Sequence, residues 1–395
     1  MSDRDVEASP GPLLVVVPAA AKGASGISPS TVIAGLPLIT RIVRAAKSSG
    51  YADVLVCDMG AAIDRLVEGA GAAVLTRSCC VTNRAPRRVV VMPANVVPQS
   101  RWLRSLLDEP IESERLYVDG GSVVLVETAR PDAIVTAAAD SASAPALIVA
   151  LSRVFTKGPE PLARQGHFPI ASAGDVASAE AWLLRSLIKD NEGFMSRHFE
   201  RRISLAITRR LVSTSATPDM ITLVSLAVGL VGALFYLGSS PAMQLTASLL
   251  FLTHSILDGC DGELARLKFM QSRRGAILDY WSDNAVHVAV FFCIAIGWAL
   301  RAGTPWPLAL GTVAAVTILG SAALMFERTA QDRPETADSP LSARLAGALA
   351  SRDFIYLLML CSAFGRAHWF LVMTAVGTPI FFLVVLWNHC RGLVR

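Results

Sequence analysis

The chain contains 395 residues, of which 53% are hydrophobic and 17% are charged. A chain of this length has room for two domains, and its composition is too apolar for a wholly soluble protein. The net charge of +4 is small and gives no indication of a nucleic-acid partner.

The cysteines and the first residues indicate a cytoplasmic environment. The seven cysteines have no metal-ligand spacing, and an odd number without a disulfide framework favours reduced thiols. Asp3, Asp5 and Glu7 stand where a secretory signal peptide would carry positive charge. We therefore expect no signal peptide at this end.

From residue 12 to about residue 170, short apolar runs alternate with amphipathic segments. Helices are predicted at residues 37–49 and 99–107, and strands at residues 13–17, 54–56, 73–75, 89–92, 116–118, 123–126 and 133–135. Asp119-Gly120-Gly121 predicts a hairpin turn between two of these strands. Strands that alternate with helices predict a mostly parallel sheet covered on both faces. Residues 1–180 are thus predicted to form a soluble α/β domain.

Residues 181–215 form a predicted basic junction between the two halves. A polar and basic segment follows the helical pattern of residues 175–187, and the next helical pattern, residues 203–211, carries Arg209 and Arg210. A basic amphipathic helix just before a membrane span is expected to lie along the membrane surface. Its arginines would attract either anionic lipid or the phosphate of an acceptor substrate, and the sequence leaves both readings open.

Residues 216–395 are predicted to form an all-α membrane domain of six transmembrane helices. Apolar runs recur at residues 221–237, 243–257, 276–300, 307–325, 354–364 and 370–387. Basic residues concentrate in the segments 266–274 and 327–352, whereas the opposite loops carry mainly Arg301 and Arg366. The positive-inside rule then predicts a multi-pass protein of the cell membrane, the inner membrane in a bacterium, with both termini and the N-terminal domain in the cytoplasm.

Four aspartates form two pairs where the second predicted span ends and the third begins. The first pair is three residues apart and the second pair four apart, so each pair shares one helix face: Asp258 and Asp261, Asp279 and Asp283. Carboxylates at a membrane are costly and usually functional, and four of them can hold one or two hard divalent cations. The arginines and the lysine between the pairs favour a phosphorylated substrate. The alternative is a set of solvated loop charges paired with those basic residues.

This stretch resembles the signature of the CDP-alcohol phosphotransferases, also called CDP-alcohol phosphatidyltransferases. The signature reads Asp-x2-Asp-Gly-x2-Ala-Arg-x8-Gly-x3-Asp-x3-Asp, and every fixed position is filled between Asp258 and Asp283. The resemblance implies transfer of a substituted phosphate, phosphatidyl or polyol phosphate, from a CDP-alcohol to an acceptor hydroxyl. CMP is released, and the reaction belongs to phospholipid biosynthesis.

The resemblance also implies roles for individual residues. It implies two Mg²⁺ or Mn²⁺ ions held by the four aspartates, with Asp283 also accepting the proton of the hydroxyl. It implies a nucleotide- and phosphate-binding wall made of Gly262, Ala265, Arg266 and Gly275. For the two glycines the alternative is tight helix packing, which is common in membranes. The implied partners are a CDP-diacylglycerol or CDP-inositol type of donor, a polyol-phosphate or alcohol acceptor, membrane lipid, and a second copy in a homodimer.

The first half resembles the sugar-phosphate nucleotidyltransferase fold in its order of elements. The opening strand, the loop of residues 19–30, the Gly35-Leu36-Pro37 segment and residues 91–95 match the entry to that fold. The active positions differ, because the family's phosphate-loop residues, lysine and metal-binding aspartate correspond here to Ala21, Gly23, Ser25, Ser28 and Asn95. A triphosphate needs cationic and metal partners. We therefore predict a nucleotidyltransferase-like domain that no longer transfers nucleotides.

Residues 184–222 resemble the junction of fusions between an inositol-phosphate cytidylyltransferase and a di-inositol-phosphate phosphate synthase. That architecture implies a polyol-phosphate acceptor such as an inositol phosphate. Two alternatives stay open, a bifunctional enzyme whose first half makes its own CDP-alcohol and a non-catalytic membrane scaffold or transporter. The sequence does not specify the acceptor, the donor lipid or the oligomeric state.

Overall fold

The structure is a computed structural model that describes residues 11–19, 27–75, 86–119, 123–159, 162, 166–188, 199–330 and 354–394. The chain divides into two compact units, Met1–Ser186 and Leu187–Arg395. Several predicted features lie outside the described residues: Ala21, Gly23 and Ser25 of the loop, Gly120 and Gly121 of the hairpin turn, and the basic segment 331–352.

The first unit is an α/β domain, as predicted. Its described strands are β1 (Leu13–Val17), β2 (Val32–Ile33), β3 (Leu36–Pro37), β4 (Asp53–Cys57), β5 (Ala73–Leu75), β6 (Arg87–Pro93), β7 (Val96–Pro98), β8 (Arg115–Val118), β9 (Val124–Thr128), β10 (Thr156–Lys157) and β11 (His167–Pro169). Seven of these form the main sheet, in the order β10-β8-β9-β6-β1-β4-β5. The apolar side chains of β1 are fully buried, which places this strand at the centre of the domain core.

The main sheet is parallel at its centre and antiparallel on one side. β1 pairs in parallel with β4 and β6, so that Leu14 aligns with both Val54 and Val90. β9 runs antiparallel to both β6 and β8, which agrees with the predicted hairpin pairing of strands 116–118 and 123–126. Four of the six strand pairings in the main sheet are parallel, which agrees with the predicted mostly parallel sheet.

Six described helices belong to the first unit, and one of them corrects a predicted strand. They are α1 (Leu38–Ser48), α2 (Ala61–Gly69), α3 (Ser100–Asp108), α4 (Pro131–Asp140), α5 (Ala144–Val154) and α6 (Asp175–Arg185). The prediction of a strand at residues 133–135 was wrong, because these residues lie inside α4. Pro131 starts that helix, and one helical face is buried through Ile134, Val135 and Ala138. The two adjacent β-branched residues, Ile134 and Val135, therefore do not indicate a strand here.

The second unit is helical. Its described helices are α7 (Arg201–Leu211), α8 (Pro218–Phe235), α9 (Pro241–Lys268), α10 (Arg273–Ala302), α11 (Trp306–Ala330), α12 (Phe354–Ala363) and α13 (Ala367–Val394). Within the described residues, four segments are long and apolar enough to cross a membrane: Pro218–Phe235, Arg273–Ala302, Trp306–Phe326 and Ala367–Cys390. Each of the six predicted spans has a corresponding helix, but six crossings remain a prediction, since α9 carries several charges and α12 has only 10 residues.

Local sequence determines where the helices that carry the aspartates begin and end. Side-chain oxygens of Thr217, Ser240 and Ser272 accept hydrogen bonds from backbone N–H groups in the first turns of α8, α9 and α10. α9 ends at Phe269, which adopts a left-handed conformation with φ 55°. Only four residues, 269–272, therefore separate α9 from α10, and each of the two helices packs against α8.

Candidate active site

Three of the four predicted aspartates converge between α9 and α10. Asp258, Asp261 and Asp279 each offer one carboxylate oxygen, and these three oxygens all lie within 4.8 Å of one another. The side chains of Asp258 and Asp261 belong to the buried face of α9, where the three-residue spacing brings them onto one side. We call these residues the carboxylate trio. An oxygen-only donor set of this kind suits a hard divalent cation such as Mg²⁺ or Mn²⁺.

The trio is supported by the start of α8. Thr222 Oγ1 donates a short hydrogen bond to Asp261 Oδ2, and both side chains are buried. This bond orients the Asp261 carboxylate within the trio. A hydrogen bond that orients a ligating carboxylate is a recurrent feature of metal sites.

A cavity of about 160 Å³ opens beside the trio. Its lining includes all four predicted nucleotide- and phosphate-binding residues, Gly262, Ala265, Arg266 and Gly275. Asp261 and Asp279 from the trio also line it, together with Asp219 and Thr222 of α8. The structure thus brings the predicted wall and two of the predicted metal ligands together around one cavity.

The two glycines of the wall leave space for different groups. A Cβ atom at Gly275 would lie 3.0 Å from both Asp219 Oδ1 and Ser272 Oγ, and it would narrow the cavity. A Cβ atom at Gly262 would lie 3.3 Å from Arg266 Nη1, so this glycine makes room for the guanidinium group one turn further along α9.

Asp283, the fourth predicted aspartate, is not a member of the trio among the described residues. Its Oδ1 lies 3.4 Å from His254 Nε2, and its side chain is 29% exposed. The sequence analysis did not identify His254. The spacing of residues 254, 258 and 261 on α9 is i, i+4 and i+7, which would have placed this histidine on the face of the aspartates.

Glu263 lies on the opposite side of α9 and connects this helix to α7. Its side chain is fully buried and accepts hydrogen bonds from Arg201 Nη1 at 2.8 Å, Ser204 Oγ at 2.7 Å and Thr208 Oγ1 at 2.6 Å. The predicted surface helix is therefore attached to the helix that carries Asp258 and Asp261. A carboxylate inside the signature pattern was the available sequence signal, but its partners are about 55 to 62 residues away.

In the first unit, Asn95 has a structural role, because it forms hydrogen bonds with Ile170. Its Nδ2 donates a hydrogen bond to the carbonyl oxygen of Ile170 at 2.9 Å, and the Ile170 N–H donates to the Asn95 carbonyl oxygen at 2.8 Å. Ser28, at the predicted lysine position, shares a hydrogen bond of 2.7 Å with Ser30. Both side chains are thus engaged with neighbouring parts of this domain.

Comparison with known families identifies the second half of the chain. Residues 215–387 match the family model described as CDP-alcohol phosphatidyltransferase. The resemblance inferred from the aspartate signature is therefore confirmed for this region. The matched segment contains α8 to α12 and most of α13, including the trio and the cavity.

Curated relatives confirm the predicted resemblance to fusion proteins. "Bifunctional IPC transferase and DIPP synthase" proteins of Thermococcus kodakarensis and Rubrobacter xylanophilus are 32% and 37% identical over 200 and 183 residues. The matches cover 49% and 45% of this chain but 44% and 38% of those proteins, so the chain spans less than half the length of either. An "Archaetidylinositol phosphate synthase" of Pyrococcus horikoshii is 27% identical, covering 45% of this chain and 85% of that protein.

Solved structures of a Mycobacterium tuberculosis phosphatidylinositol phosphate synthase (PgsA1) are more distant. The form with CDP-DAG bound is 20% identical, with a TM-score of 0.36, and covers 48% of this chain and 94% of that one. The form with manganese and citrate has a TM-score of 0.33 and covers 47% and 88%. These scores are too low to support an argument about the present chain.

Proposed function

We propose that this chain, whose residues 215–387 carry a CDP-alcohol phosphatidyltransferase domain, transfers a substituted phosphate from a CDP-alcohol to an acceptor hydroxyl. The observation that carries the proposal is the trio of carboxylates, with oxygens within 4.8 Å of one another beside a cavity lined by the family's wall residues. A non-catalytic scaffold has no need for buried carboxylates gathered in this way.

The trio fits a hard divalent cation by the chemistry of its donors. Asp258, Asp261 and Asp279 would hold Mg²⁺ or Mn²⁺, and we propose two ions with Asp283 near the second. When bound, the ions supply positive charge that stabilises the pyrophosphate oxygens during displacement. Thr222 keeps Asp261 oriented for this role.

The remaining residues would bind the donor and move one proton. The acceptor oxygen forms a bond to the phosphorus that carries the alcohol, and the bond from that phosphorus to the CMP oxygen breaks. CMP leaves with the bonding electron pair, and Asp283 accepts the hydroxyl proton. Arg266 binds phosphate oxygens, while Gly262, Ala265 and Gly275 let the nucleotide approach the helix backbones.

The orientation and the substrates are part of the same proposal. We infer that both termini and the trio lie on the cytoplasmic side of the cell membrane, because basic residues concentrate there. CDP-diacylglycerol is the favoured donor and a polyol phosphate the favoured acceptor. The P. horikoshii relative, named as an archaetidylinositol phosphate synthase, supports an inositol phosphate as that acceptor. We also propose that the chain works as a homodimer.

The test is CMP release by the full chain in liposomes with Mn²⁺ or Mg²⁺. CDP-diacylglycerol and CDP-inositol are each offered with inositol phosphate, other polyol phosphates and simple alcohols. We expect release with one pair, loss of release on chelation, and loss in Asp279→Asn. Absence of metal-dependent release from folded protein with every pair would overturn the proposal.

A second candidate is a bifunctional enzyme, favoured by the names of the relatives from T. kodakarensis and R. xylanophilus. The hydrogen bond from Asn95 to Ile170 speaks against it, since a neutral amide stands at the predicted metal position. Pyrophosphate release from CTP and an inositol phosphate by the full chain would establish this second activity. We expect none.

A further inference from the structure

His254 of α9 lies next to the trio, and its two ring nitrogens face two other helices, α8 and α10. Its side chain is 1% exposed on α9, one turn before Asp258. Nδ1 lies 3.0 Å from the carbonyl oxygen of Ser225 on α8, and because a carbonyl can only accept, this nitrogen carries the hydrogen. Nε2 faces Asp283 Oδ1 of α10 at 3.4 Å.

The position of the imidazole ring is fixed by its packing. Its plane lies 17° from that of Phe251, with 6.0 Å between ring centroids. On the α8 side, Gly229 leaves room for both Val286 and His254, because a Cβ atom there would lie 2.6 Å from Val286 Cγ1 and 3.1 Å from His254 Cγ. With Nδ1 bound to Ser225, the ring can present only Nε2 toward Asp283.

The contact between His254 Nε2 and Asp283 is longer than an ordinary hydrogen bond. Nε2 is buried and makes no hydrogen bond with the described residues, although Asp283 Oδ1 is within ion-pair distance. A buried nitrogen without a partner is costly, so closing the remaining gap is favourable. Hydrogen bonds between catalytic groups are often long in empty sites and shorten when substrate binds.

We propose that His254 is a positioning residue for Asp283. It directs one carboxylate oxygen away from the trio's ligand set and leaves the other oxygen toward the acceptor hydroxyl. The inference rests on the proposed transfer reaction, in which Asp283 accepts the proton. It distinguishes the trio from a fourth aspartate whose orientation depends on a neighbouring ring.

Two substitutions at residue 254 separate this role from a purely structural one. In His254→Asn the amide nitrogen can occupy the place of Nδ1, so the bond to Ser225 is kept and the contact with Asp283 is lost. In His254→Gln the longer side chain can reach toward Asp283. We expect His254→Asn to lower kcat about 10–100-fold, with KM for the CDP-alcohol nearly unchanged, as for other residues that orient a catalytic group. His254→Gln should restore a large part of kcat.

Metal binding gives a readout that does not depend on activity. Titration of Mn²⁺ followed by electron paramagnetic resonance should give wild-type affinity for His254→Asn, because the trio is intact. Loss of Mn²⁺ binding in that variant would overturn the proposal, since the histidine would then act on the cation site. Equal kcat values for His254→Asn and His254→Gln, or a wild-type kcat for His254→Asn, would overturn it as well.

A further variant covers the case in which His254→Asn does not fold. Phe251→Leu removes the stacked ring but keeps an apolar side chain, and it should lower kcat several-fold while Mn²⁺ affinity stays at the wild-type value. An unchanged kcat in folded Phe251→Leu would contradict the proposal. If the wild type releases no CMP, the proposed function itself fails; if the wild type is active and the variants match it, this inference alone fails.

Discussion

Arg201 Nη1 lies 2.8 Å from Glu263 Oε1, and this partly buried ion pair joins α7 to α9. Glu263 is fully buried and accepts two further hydrogen bonds, from Ser204 and Thr208. The three donors compensate the free-energy cost of removing the Glu263 carboxylate from water. Loss of any one donor would leave part of that cost uncompensated and would lower the stability. α7, the predicted membrane-surface helix, is thus attached to α9 through Glu263.

Replacing Glu263 should therefore destabilise the second unit. We expect Glu263→Ala to cost about 3–5 kcal/mol, because it removes the shared acceptor of three buried donors. Glu263→Gln keeps one acceptor oxygen and should cost less. Thermal unfolding in detergent measures the difference. Arg202→Ala, at an exposed position of the same helix, is the matched control, and an unchanged melting temperature for Glu263→Ala would contradict the prediction.

Replacing a trio aspartate should abolish cation binding. Asp258→Asn or Asp279→Asn removes a direct ligand, and we expect Mn²⁺ affinity to fall by at least about 100-fold, more than is usual for residues outside the ligand shell. Isothermal titration with Mn²⁺ measures this. Asp219→Asn changes a carboxylate of the same cavity that lies outside the trio, and it should keep Mn²⁺ affinity near the wild-type value.

Helical spacing explains why three of the four predicted aspartates lie close together. Helical spacing alone brings Asp258 and Asp261 to one face, and a short link after α9 brings Asp279 opposite them. The apolar runs likewise predicted the helices of the second unit, since the period of a long apolar segment is a strong signal. The expected strand at β1 was also correct, because its five buried apolar residues have no helical alternative of that length.

What the sequence did not show depends on contacts between distant residues. The position of His254 against Asp283 requires α8, α9 and α10 to pack together, and one histidine in an apolar run carries no such information. The role of Glu263 likewise depends on packing against α7, whose Arg201 is distant from it in the sequence. The Ile134-Val135 pair has high β propensity, but tertiary packing of a helical face decided its conformation.

Two glycine substitutions should separate function from packing. In Gly275→Ala the new methyl group would lie 3.0 Å from Asp219 Oδ1 at the cavity. We expect KM for the CDP-alcohol to rise about tenfold, corresponding to about 1.4 kcal/mol of lost binding, with little change in melting temperature. In Gly297→Ala the methyl group would lie 2.3 Å from the Tyr236 carbonyl oxygen. That variant should instead lose stability, because backbone atoms would have to move.

The reverse pattern, in which Gly275→Ala unfolds the protein and Gly297→Ala impairs only substrate binding, would contradict this assignment. Steady-state kinetics and thermal unfolding on the same preparations distinguish the cases.

Restoring a carboxylate at residue 95 should not restore nucleotidyl transfer. Asn95→Asp replaces the Nδ2 donor with an oxygen that faces the Ile170 carbonyl oxygen. We expect a loss of about 1–3 kcal/mol in the stability of the first unit, since the acceptor at Ile170 is left without its donor. Hydrogen exchange at β7 and β11 would report the loss, because these strands pair beside Asn95. Pyrophosphate release from CTP by Asn95→Asp would contradict the prediction.

The left-handed Phe269 limits how the proposed site can open. The turn it makes leaves only residues 269–272 between α9 and α10, so the end of α9 and the start of α10, which carry the two halves of the aspartate signature, stay joined by a short chain. α8 packs against both of these helices and contributes to the lining of the cavity, so we expect movement of α8 to admit substrate and to release CMP. The hydrogen bond from Thr222 of α8 to Asp261 of α9 would break each time the site opens in this way.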